Sequence, residues 1–333
     1  MAFSQLGATA GSVQSQAVAC ETPLTGWASV SGNGVRTTTG GGSAAPQTVS
    51  TLAGLRKYAA DSQPQVIKVS GMISTGSSPV EVSSNKTIIG TDERATIVGG
   101  LNISSGRSNI IIRNLTVKGA GPGKAPADTI AARGSHHIWL DHLDVSNAGD
   151  GLVDLTKGSD YLTVSWVKFS YPDRANTHRL AALVGAGGDH DATDKGKNNV
   201  TYHHNWFAGN VDQRMPRILF GKGHVYNSYY TSSGNSYGVG VGALASVLIE
   251  NNYFKDVKSP HTFMYNRPHY IVAQGNVYDG TSGKKDTGAG GTGGGVTPFT
   301  KPPYTYTLDK AADVPSVVSQ CAGPKLSLKN DMR

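Results

Sequence analysis

A nine-residue pattern of β-forming residues, usually closed by an aromatic side chain, recurs through the middle of this 333-residue chain. Its seven copies read NIIIRNLTV, HIWLDHLDV, YLTVSWVKF, NVTYHHNWF, KGHVYNSYY, SVLIENNYF and YIVAQGNVY, and they begin at Asn109, His137, Tyr161, Asn199, Lys222, Ser246 and Tyr270. Successive copies start 28, 24, 38, 23, 24 and 24 residues apart. A nearly constant period of this length is typical of a solenoid, in which each coil buries its apolar face only against its neighbours.

The alignment of the copies predicts which residues stack between coils, because equivalent strands of a solenoid lie about 4.8 Å apart. The ninth positions are apolar or aromatic: Val117, Val145, Phe169, Phe207, Tyr230, Phe254 and Tyr278. The seventh positions of the last four copies are Asn205, Ser228, Asn252 and Asn276. We expect the first set to stack inside the coil and the second to form a hydrogen-bonded ladder at a turn. Glycine, 43 of the 333 residues, supplies turns with positive φ.

The fold favoured by this pattern is all-β, a right-handed single-stranded parallel β-helix. The alternative, a β-sandwich, is disfavoured by the constant spacing and by the scarcity of two-residue hairpin turns. Strands at 65–71 and 86–91 would extend the solenoid, and TLAGLRKYAA (51–60) predicts a short capping helix at its N-terminal end. We expect one domain over 1–333: an N-terminal segment (1–25), the β-helix (26–280), and a C-terminal part (281–333). That last part contains a mobile glycine-rich loop (283–295) and a strap that packs back along the solenoid.

Cysteine content and charge constrain the compartment and the partner. Cys20 and Cys321 are either two unrelated thiols or, in an oxidising compartment, a disulfide joining the chain ends. Residues 1–18 lack the basic and apolar regions of a signal peptide. No stretch approaches the roughly 20 apolar residues of a membrane span. A net charge of +7 fits an acidic partner, and scattered Lys and Arg without a nucleic-acid-binding motif argue against nucleic acid.

Aspartates cluster between residues 128 and 154: Asp128, Asp141, Asp144, Asp150 and Asp154. Asp150 and Asp154 lie four residues apart in DGLVD, so an extended strand places them on one face. Asp128 precedes the strand of the coil before. Converging carboxylates repel one another unless a hard cation such as Ca²⁺ or Mg²⁺ binds them. The alternative is a set of solvated turn aspartates.

Basic residues and histidines mark two further segments. Arg214 and Arg217 flank a proline in RMPRILFGKGHVYN (214–227), two coils after DGLVD, and suit a carboxylate-bearing polyanion unless they are simply solvated. The adjacent pairs His136–His137 and His203–His204 should point to opposite strand faces, which argues against a shared metal.

Several ordered blocks resemble the pectate lyases of polysaccharide lyase family 1, bacterial type. They are IWLDH (138–142), DGLVDLTKGSDYLTVSW (150–166), VTYHHNWF (200–207) and RMPR…GHVYN (214–227), and the resemblance spans roughly residues 26–280. It implies a secreted parallel β-helix enzyme, acting as a monomer, that cleaves α-1,4-linked polygalacturonate by calcium-dependent β-elimination and leaves 4,5-unsaturated products.

Carried over residue by residue, the resemblance implies a role for each matching position. Asp128, Asp150 and Asp154 match calcium ligands, and Arg214 matches the catalytic base. Asp141 and His142 match a block that supports the structure away from the broken bond. Guanidinium ordinarily keeps its proton, so an arginine base predicts activity at alkaline pH.

Three positions depart from the family pattern. A lysine usual three residues before the Leu of L-x-G is Leu180 here, a second arginine is Leu219, and an aspartate two residues before Asp128 is Pro126. Arg179 adjoins the first position and Arg217 lies on the same strand face as the second, so both are candidate substitutes for binding substrate carboxylates. The losses affect substrate affinity and methyl-ester preference more than reaction type.

Three alternatives remain at this level. A pectin lyase would act on methylated polymer without calcium, and its sites lose the calcium carboxylates that are kept here. A polygalacturonase needs paired carboxylates for hydrolysis, and the chain has no Asp-Asp pair. A non-catalytic β-helical polysaccharide-binding protein would explain the repeat and the charge, but not the combination of Arg214 with three carboxylates.

Overall fold

The computed structural model describes Cys20 and residues 23–325. Most of the predicted N-terminal segment (1–25) lies outside these residues. The described chain winds into a parallel β-solenoid whose coils contribute strands to two sheets. All strand pairs are parallel except the one that joins Gly288–Gly290 to His269–Ile271. The predicted parallel β-helix is therefore confirmed.

Within the described residues the larger sheet has 18 strands and the smaller one has eight. The larger comprises Pro46–Val49, Gln65–Val69, Met72–Ser74, Lys86–Gly90, Thr96–Val98, Ser108–Lys118, His136–Ser146, Asp160–Ser165, Lys168–Ser170, Val200–His203, Trp206–Phe207, Lys222–Tyr226, Tyr229–Tyr230, Ser246–Glu250, Tyr253–Lys255, His269–Gln274, Val277–Asp279 and Gly288–Gly290. The smaller comprises Val80–Glu81, Leu101–Ile103, Ile130–Arg133, Gly151–Thr156, Leu180–Val184, Arg217–Leu219, Val239–Gly242 and His261–Met264.

The helices are short and peripheral. They are the 3₁₀ turn Trp27–Ser29 and the α-helices Leu52–Ala60, Asp191–Asp194 and Val314–Cys321. Leu52–Ala60 is the predicted capping helix: the Thr51 hydroxyl accepts a hydrogen bond from the Gly54 amide, and Leu55 and Ala59 are buried in the solenoid core. No helix among the described residues is long and apolar enough to cross a membrane.

Both predicted stacks are present inside the solenoid. Rings at the ninth position stack from Phe169 to Phe207, Tyr230, Phe254 and Tyr278, with centroids 4.2–5.5 Å apart. In the ladder, the Asn252 Oδ1 accepts from the Ser228 amide at 2.9 Å and the Asn276 Oδ1 accepts from the Asn252 amide at 2.9 Å. Each coil thus satisfies the polar groups of its neighbour's turn while burying the apolar rings.

The chain bends at the sixth residue of each repeat, through a backbone conformation that the sequence did not predict. The sixth residue of the first six copies has a positive φ between 48° and 55°, and the set includes His142, Trp166 and His204 as well as asparagines. A left-handed residue interrupts strand alternation, so the fifth and sixth side chains share a side. Parallel stacking imposes this bend on residues that rarely adopt it alone.

The chain ends cover one outer face of the larger sheet. Trp27 stacks on Phe299 with centroids 6.1 Å apart, and the Tyr306 hydroxyl donates to Glu250 at 2.7 Å. The Val314–Cys321 helix packs against Trp166, and Cys321 forms a disulfide with Cys20. The disulfide is confirmed, and the contacts of Phe299 and Tyr306 are those expected of the predicted strap.

Part of the glycine-rich tract 283–295 has regular backbone pairing. Gly288–Gly290 form a strand against His269–Ile271, and Ser282 and Lys285 make parallel bridges to Lys258 and His261. The backbone of these residues therefore completes the last coils, which the glycine content did not predict. The mobility of the tract stays a prediction.

Candidate active site

On the outer face of the smaller sheet, equivalent residues of successive coils lie side by side in one row. In register the row runs Glu81, Asn102, Ala131, Asp154, Leu183, Arg217, Gly240 and Thr262. Asp154 lies near its centre, since the strand Gly151–Thr156 pairs with strands on both sides. Of the polar residues that the sequence singled out, Asp128 and Asp150 flank Gly151 at the start of this strand, whereas Asp141, His142 and Asp144 lie on the larger sheet.

Asp154 is held in an unfavourable environment for an ionised carboxylate. Burial, with the charge of Asp128 beside it, raises the pKa of Asp154 to about 7, although Arg214 opposes the shift. Its Oδ1 is buried and finds no hydrogen-bond partner among the described residues. The carboxylate folds back over Gly151, where any Cβ would overlap Oδ1. Gly151 therefore provides the space in which this oxygen sits.

Asp128 lies beside it on the preceding coil. Its Oδ1 accepts a hydrogen bond from the Gly151 amide at 3.2 Å, and its Oδ2 pairs with Arg133 at 3.1 Å. Burial raises the pKa of Asp128 against these two contacts. Arg133 was not predicted as a site residue, because an arginine five residues after an aspartate does not by itself indicate a contact.

Asp150 borders the same site. Its amide donates to the carbonyl of Ala127, next to Asp128, at 2.9 Å, and its charge adds to the burial that raises the pKa of Asp128 and Asp154. The Tyr171 hydroxyl lies 3.0 Å from the Asp150 carbonyl and 3.1 Å from the Leu180 carbonyl, so it fixes the turn that presents Asp150. Tyr171 is a second residue missed from the sequence.

Arg214 enters the site from a strained turn. Its φ is 61°, its carbonyl accepts from the Ala182 amide at 2.8 Å, and a cis peptide follows between Met215 and Pro216. Arg214 lowers the pKa of Asp154, and its Nε is buried without a hydrogen-bond partner among the described residues. Arg214 and Asp154 thus each bring an unsatisfied polar atom to one site.

The two candidate substrate-binding arginines are already engaged. Arg217 donates from Nε to the Tyr237 hydroxyl at 2.7 Å and from Nη2 to Gln213 at 3.1 Å. Arg179 donates to the carbonyls of Asn210 at 2.7 Å and Asn176 at 2.8 Å. Leu180 and Leu219, at the two departures from the family pattern, are buried. Arg179 therefore fixes the loop beside the site and does not reach across it.

Asp141 and His142 lie on the other sheet, fully buried. The Asp141 carboxylate pairs with Arg113 at 3.1 Å, accepts from Ser165 at 2.6 Å and lies 2.8 Å from His142 Nδ1. His142 Nε2 lies 2.9 Å from the Cys20 carbonyl. These contacts join the solenoid to the N-terminal segment and involve none of the carboxylates of the site.

The geometry expected for the paired histidines was wrong. His136 and His137 bring their Nδ1 atoms within 2.9 Å of each other, and so do His203 and His204. The second member of each pair has a φ of 55°, which turns both rings to the same side. They do not alternate as ordinary strand neighbours do.

The donor set suits a hard divalent cation. Carboxylate oxygens are its preferred ligands, and the unpartnered Asp154 Oδ1 above Gly151 is the kind of oxygen such an ion would bind. In the arrangement described for Cys20 and residues 23–325, no three His, Cys, Asp or Glu side chains are already close enough to hold a metal ion. One of the oxygens that could approach, Asp128 Oδ2, is held by Arg133.

Comparison with known proteins shows the family of the chain. A family model described as pectate lyase matches residues 2–324. Pectate lyase A of Aspergillus niger is 33% identical over 313 residues, covering 91% of this chain and 88% of that protein. A pectate trisaccharide-lyase of Thermotoga sp. is 40% identical over 191 residues, covering 55% of this chain and 50% of that protein.

Solved structures agree as well. A pectate lyase of Bacillus sp. N165 in complex with trigalacturonate superposes with a TM-score of 0.71 at 26% identity, covering 92% of this chain and all of that one. The family match over nearly the whole chain, joined to the solenoid and its outward carboxylates, leads to one conclusion: this chain belongs to the pectate lyase family and is a polysaccharide lyase.

Proposed function

We propose that the chain cleaves α-1,4-linked polygalacturonate by β-elimination at the outer face of the smaller sheet, with Arg214 as the base. The observation that carries the proposal is the position of Arg214, whose carbonyl is bonded to the amide of Ala182, the partner of Val153 next to Asp154. Among the described residues, Arg214 Nε and Asp154 Oδ1 are both buried without a hydrogen-bond partner. An acidic polymer fits a chain of net charge +7, and trigalacturonate is bound in the Bacillus sp. N165 structure.

We further propose Asp128, Asp150 and Asp154 as the ligands of Ca²⁺. A calcium ion bound there would neutralise a uronate carboxylate and so make the neighbouring C5 hydrogen more acidic. Without a cation the three carboxylates repel one another and would repel the substrate. Together, the three carboxylates and the cation would determine where along the polymer a uronate can bind.

In this mechanism the chain's own residues position and move one proton. Arg214, fixed by the bond from the Ala182 amide to its carbonyl, takes the C5 proton. The C5–H electrons form the C4–C5 double bond, and the C4–O bond breaks with its electron pair on the oxygen of the leaving sugar. That oxygen takes up a proton from water and leaves as a hydroxyl group. Arg217, anchored on Tyr237 and half-buried, is the proposed contact for a second substrate carboxylate. Arg179 contributes by holding the loop next to Arg214.

The rival within the same fold is a pectin lyase that acts on methylated polymer without a cation. The repulsion among three carboxylates around Asp154 favours the calcium-dependent enzyme. A chelator separates the two hypotheses. Full activity on methylated pectin in EDTA would contradict our proposal, whereas activity on polygalacturonate that EDTA abolishes and Ca²⁺ restores would support it.

The central test is the ultraviolet absorbance of the 4,5-unsaturated product formed from polygalacturonate. We expect it to appear with the wild-type chain and Ca²⁺ and to fall by about a hundredfold or more in Arg214→Ala. Arg94→Ala, at an arginine whose side chain is 86% exposed, is the matched control and should keep wild-type activity. Equal rates for the two variants would remove Arg214 from the catalytic role.

We propose that the protein works as a secreted, monomeric, single-domain enzyme. The formed Cys20–Cys321 disulfide supports an oxidising compartment. Size-exclusion chromatography with light scattering tests the oligomeric state.

A further inference from the structure

Arg133 lies in a chain of polar contacts that ends at a proposed calcium ligand. Its Nη2 pairs with Asp128 Oδ2 at 3.1 Å, and its Nη1 donates to Asn102 Oδ1 at 2.9 Å. Asn102 is itself fixed, since its Nδ2 donates to Glu81 at 2.6 Å and to Ser104 at 3.1 Å. One arm of the guanidinium therefore has a rigid anchor, and the other arm holds a carboxylate that a cation would need.

The two partners differ in their access to solvent. The Asp128 side chain is 11% exposed, whereas that of Arg133 is 42% exposed. Arg133 also lines a surface pocket together with Asp128, Asn102 and Pro126. A guanidinium at the wall of such a pocket, beside the cluster of carboxylates, is placed to meet a carboxylate of the polymer. Such pairs are often bidentate.

Building on the proposed function, we propose that Arg133 releases Asp128 and pairs with a uronate carboxylate of the substrate when the cation and the polymer bind. In the metal-free protein its Nη2 neutralises Asp128. When a divalent cation takes the Asp128 oxygen, the same arm turns to a uronate carboxylate in the pocket while Asn102 keeps the other arm in place. Arg133 is thus a substrate-positioning residue and also a built-in competitor of the cation.

The exchange has a thermodynamic signature that a purely structural arginine lacks. Removing Arg133 relieves competition for Asp128, so Ca²⁺ binds more tightly when no substrate is present. The same change removes a contact to the polymer, so the substrate binds more weakly. A residue that merely supported the fold of the site would weaken both, because a loosened site loses cation and substrate together.

Calorimetric titration of Ca²⁺ into the full chain at about pH 8, without substrate, tests the first part. We expect Arg133→Met to bind Ca²⁺ about threefold or more tightly than wild type, a size in keeping with the loss of one partly exposed ion pair. Arg133→Lys keeps the charge beside Asp128 and should remain near the wild-type affinity. Arg94→Met, which removes one exposed charge elsewhere, should not change it.

Steady-state kinetics on polygalacturonate at saturating Ca²⁺ tests the second part. We expect KM to rise about fivefold or more in Arg133→Met and also in Arg133→Lys, because one ammonium group cannot hold Asn102 and a uronate carboxylate in the fixed geometry of a guanidinium. We expect kcat to change by less than KM. Unchanged or weaker Ca²⁺ binding by Arg133→Met overturns the exchange, and so does an unchanged KM in both variants.

The two proposals fail in distinguishable ways. A wild-type calcium isotherm without any unsaturated product refutes the proposed function, yet tighter Ca²⁺ binding by Arg133→Met would still support the competition at Asp128. Normal lyase activity combined with equal Ca²⁺ affinities refutes only the exchange. A wild-type chain that gives no calcium isotherm refutes both.

Discussion

Asp154 is a buried carboxyl group whose ionisation lowers the stability of the folded protein when no cation is bound. Its folded-state pKa is raised from 3.8 to about 7 by burial and by Asp128, so the folded protein binds this proton more tightly than the unfolded chain does. Its contribution to stability is present at low pH and is lost as the pH rises between these values. At alkaline pH the metal-free protein therefore carries a buried negative charge that Arg214 compensates only in part.

Asp154→Asn should make the metal-free protein more stable at about pH 8 while abolishing tight Ca²⁺ binding. We expect a gain of at least about 1 kcal/mol in the free energy of unfolding, since one unit of pKa shift corresponds to about 1.4 kcal/mol. The gain should vanish near pH 4. Urea unfolding in EDTA measures it, with Asp189→Asn as a control at a side chain that is 94% exposed. An Asp154→Asn protein that is less stable than wild type at pH 8 would contradict this interpretation.

Gly151 carries the complementary residue-scale prediction. A methyl group there overlaps Asp154 Oδ1, so Gly151→Ala must displace the carboxylate even though its backbone conformation is accessible to alanine. We expect Ca²⁺ affinity to fall about tenfold or more, as for other residues that orient a ligand. Gly209→Ala is the matched control, because no heavy atom lies within 4 Å of the added carbon. Equal calcium affinities in the two variants would show that the carboxylate adapts freely.

At the scale of elements, the turn ladder joins one coil to the next through side-chain amides. Asn252 donates to the Val225 carbonyl at 3.0 Å and accepts from the Ser228 amide at 2.9 Å, and it is fully buried. The neighbouring coils cannot supply replacement partners, because their own amides are used in the same way. Loss of one rung leaves buried backbone groups without partners.

Asn252→Ala should therefore lower the free energy of unfolding by about 1–3 kcal/mol. Asn266→Ala, at an exposed asparagine outside the ladder, should change it by less than about 0.5 kcal/mol. Chemical denaturation of both variants against wild type provides the measurement. A loss at Asn252 no larger than at Asn266 would mean that water or a rearranged turn replaces the rung.

Elements of this solenoid differ in how far the sequence predicts them. Seven repeats define the stacked rings and the ladder because period and residue type agree. The left-handed corners at His142, Trp166 and His204 were not predictable, since those residue types seldom take that conformation outside a stacked coil. In the site, the Asp150–Asp154 spacing indicated the carboxylates. Arg133 was missed because its pairing with Asp128 depends on how one coil bends, and Tyr171 was missed because it reaches the Asp150 carbonyl from the next coil.

For the molecule as a whole, buried histidines link stability to pH. Burial lowers the pKa of His203, His204 and His224, so the folded protein keeps them neutral. Below the unfolded value of about 6.5 the unfolded chain binds protons that the folded protein does not. Their contribution to stability is therefore lost as the pH falls below about 6.5.

We expect the unfolding temperature of the metal-free protein to drop between about pH 7 and pH 5. Asp154 acts in the opposite direction over the same range, so the drop should be steeper in Asp154→Asn than in wild type. Calorimetric scans in EDTA at several pH values measure both slopes. An unfolding temperature that stays constant or rises on acidification would show that the histidines accept protons without cost.

The disulfide makes residues 20 to 321 a closed covalent loop laid over a stack of coils. A protease that cuts the exposed bond after Lys284 would open the loop but free neither piece, since the part beyond the cut stays attached through Cys321. Such a nicked protein should run as one species on a non-reducing gel and as two after reduction. It should also keep its lyase activity, because the cut lies far along the chain from Asp154 and Arg214. Two species without reductant would mean that the loop is open in solution.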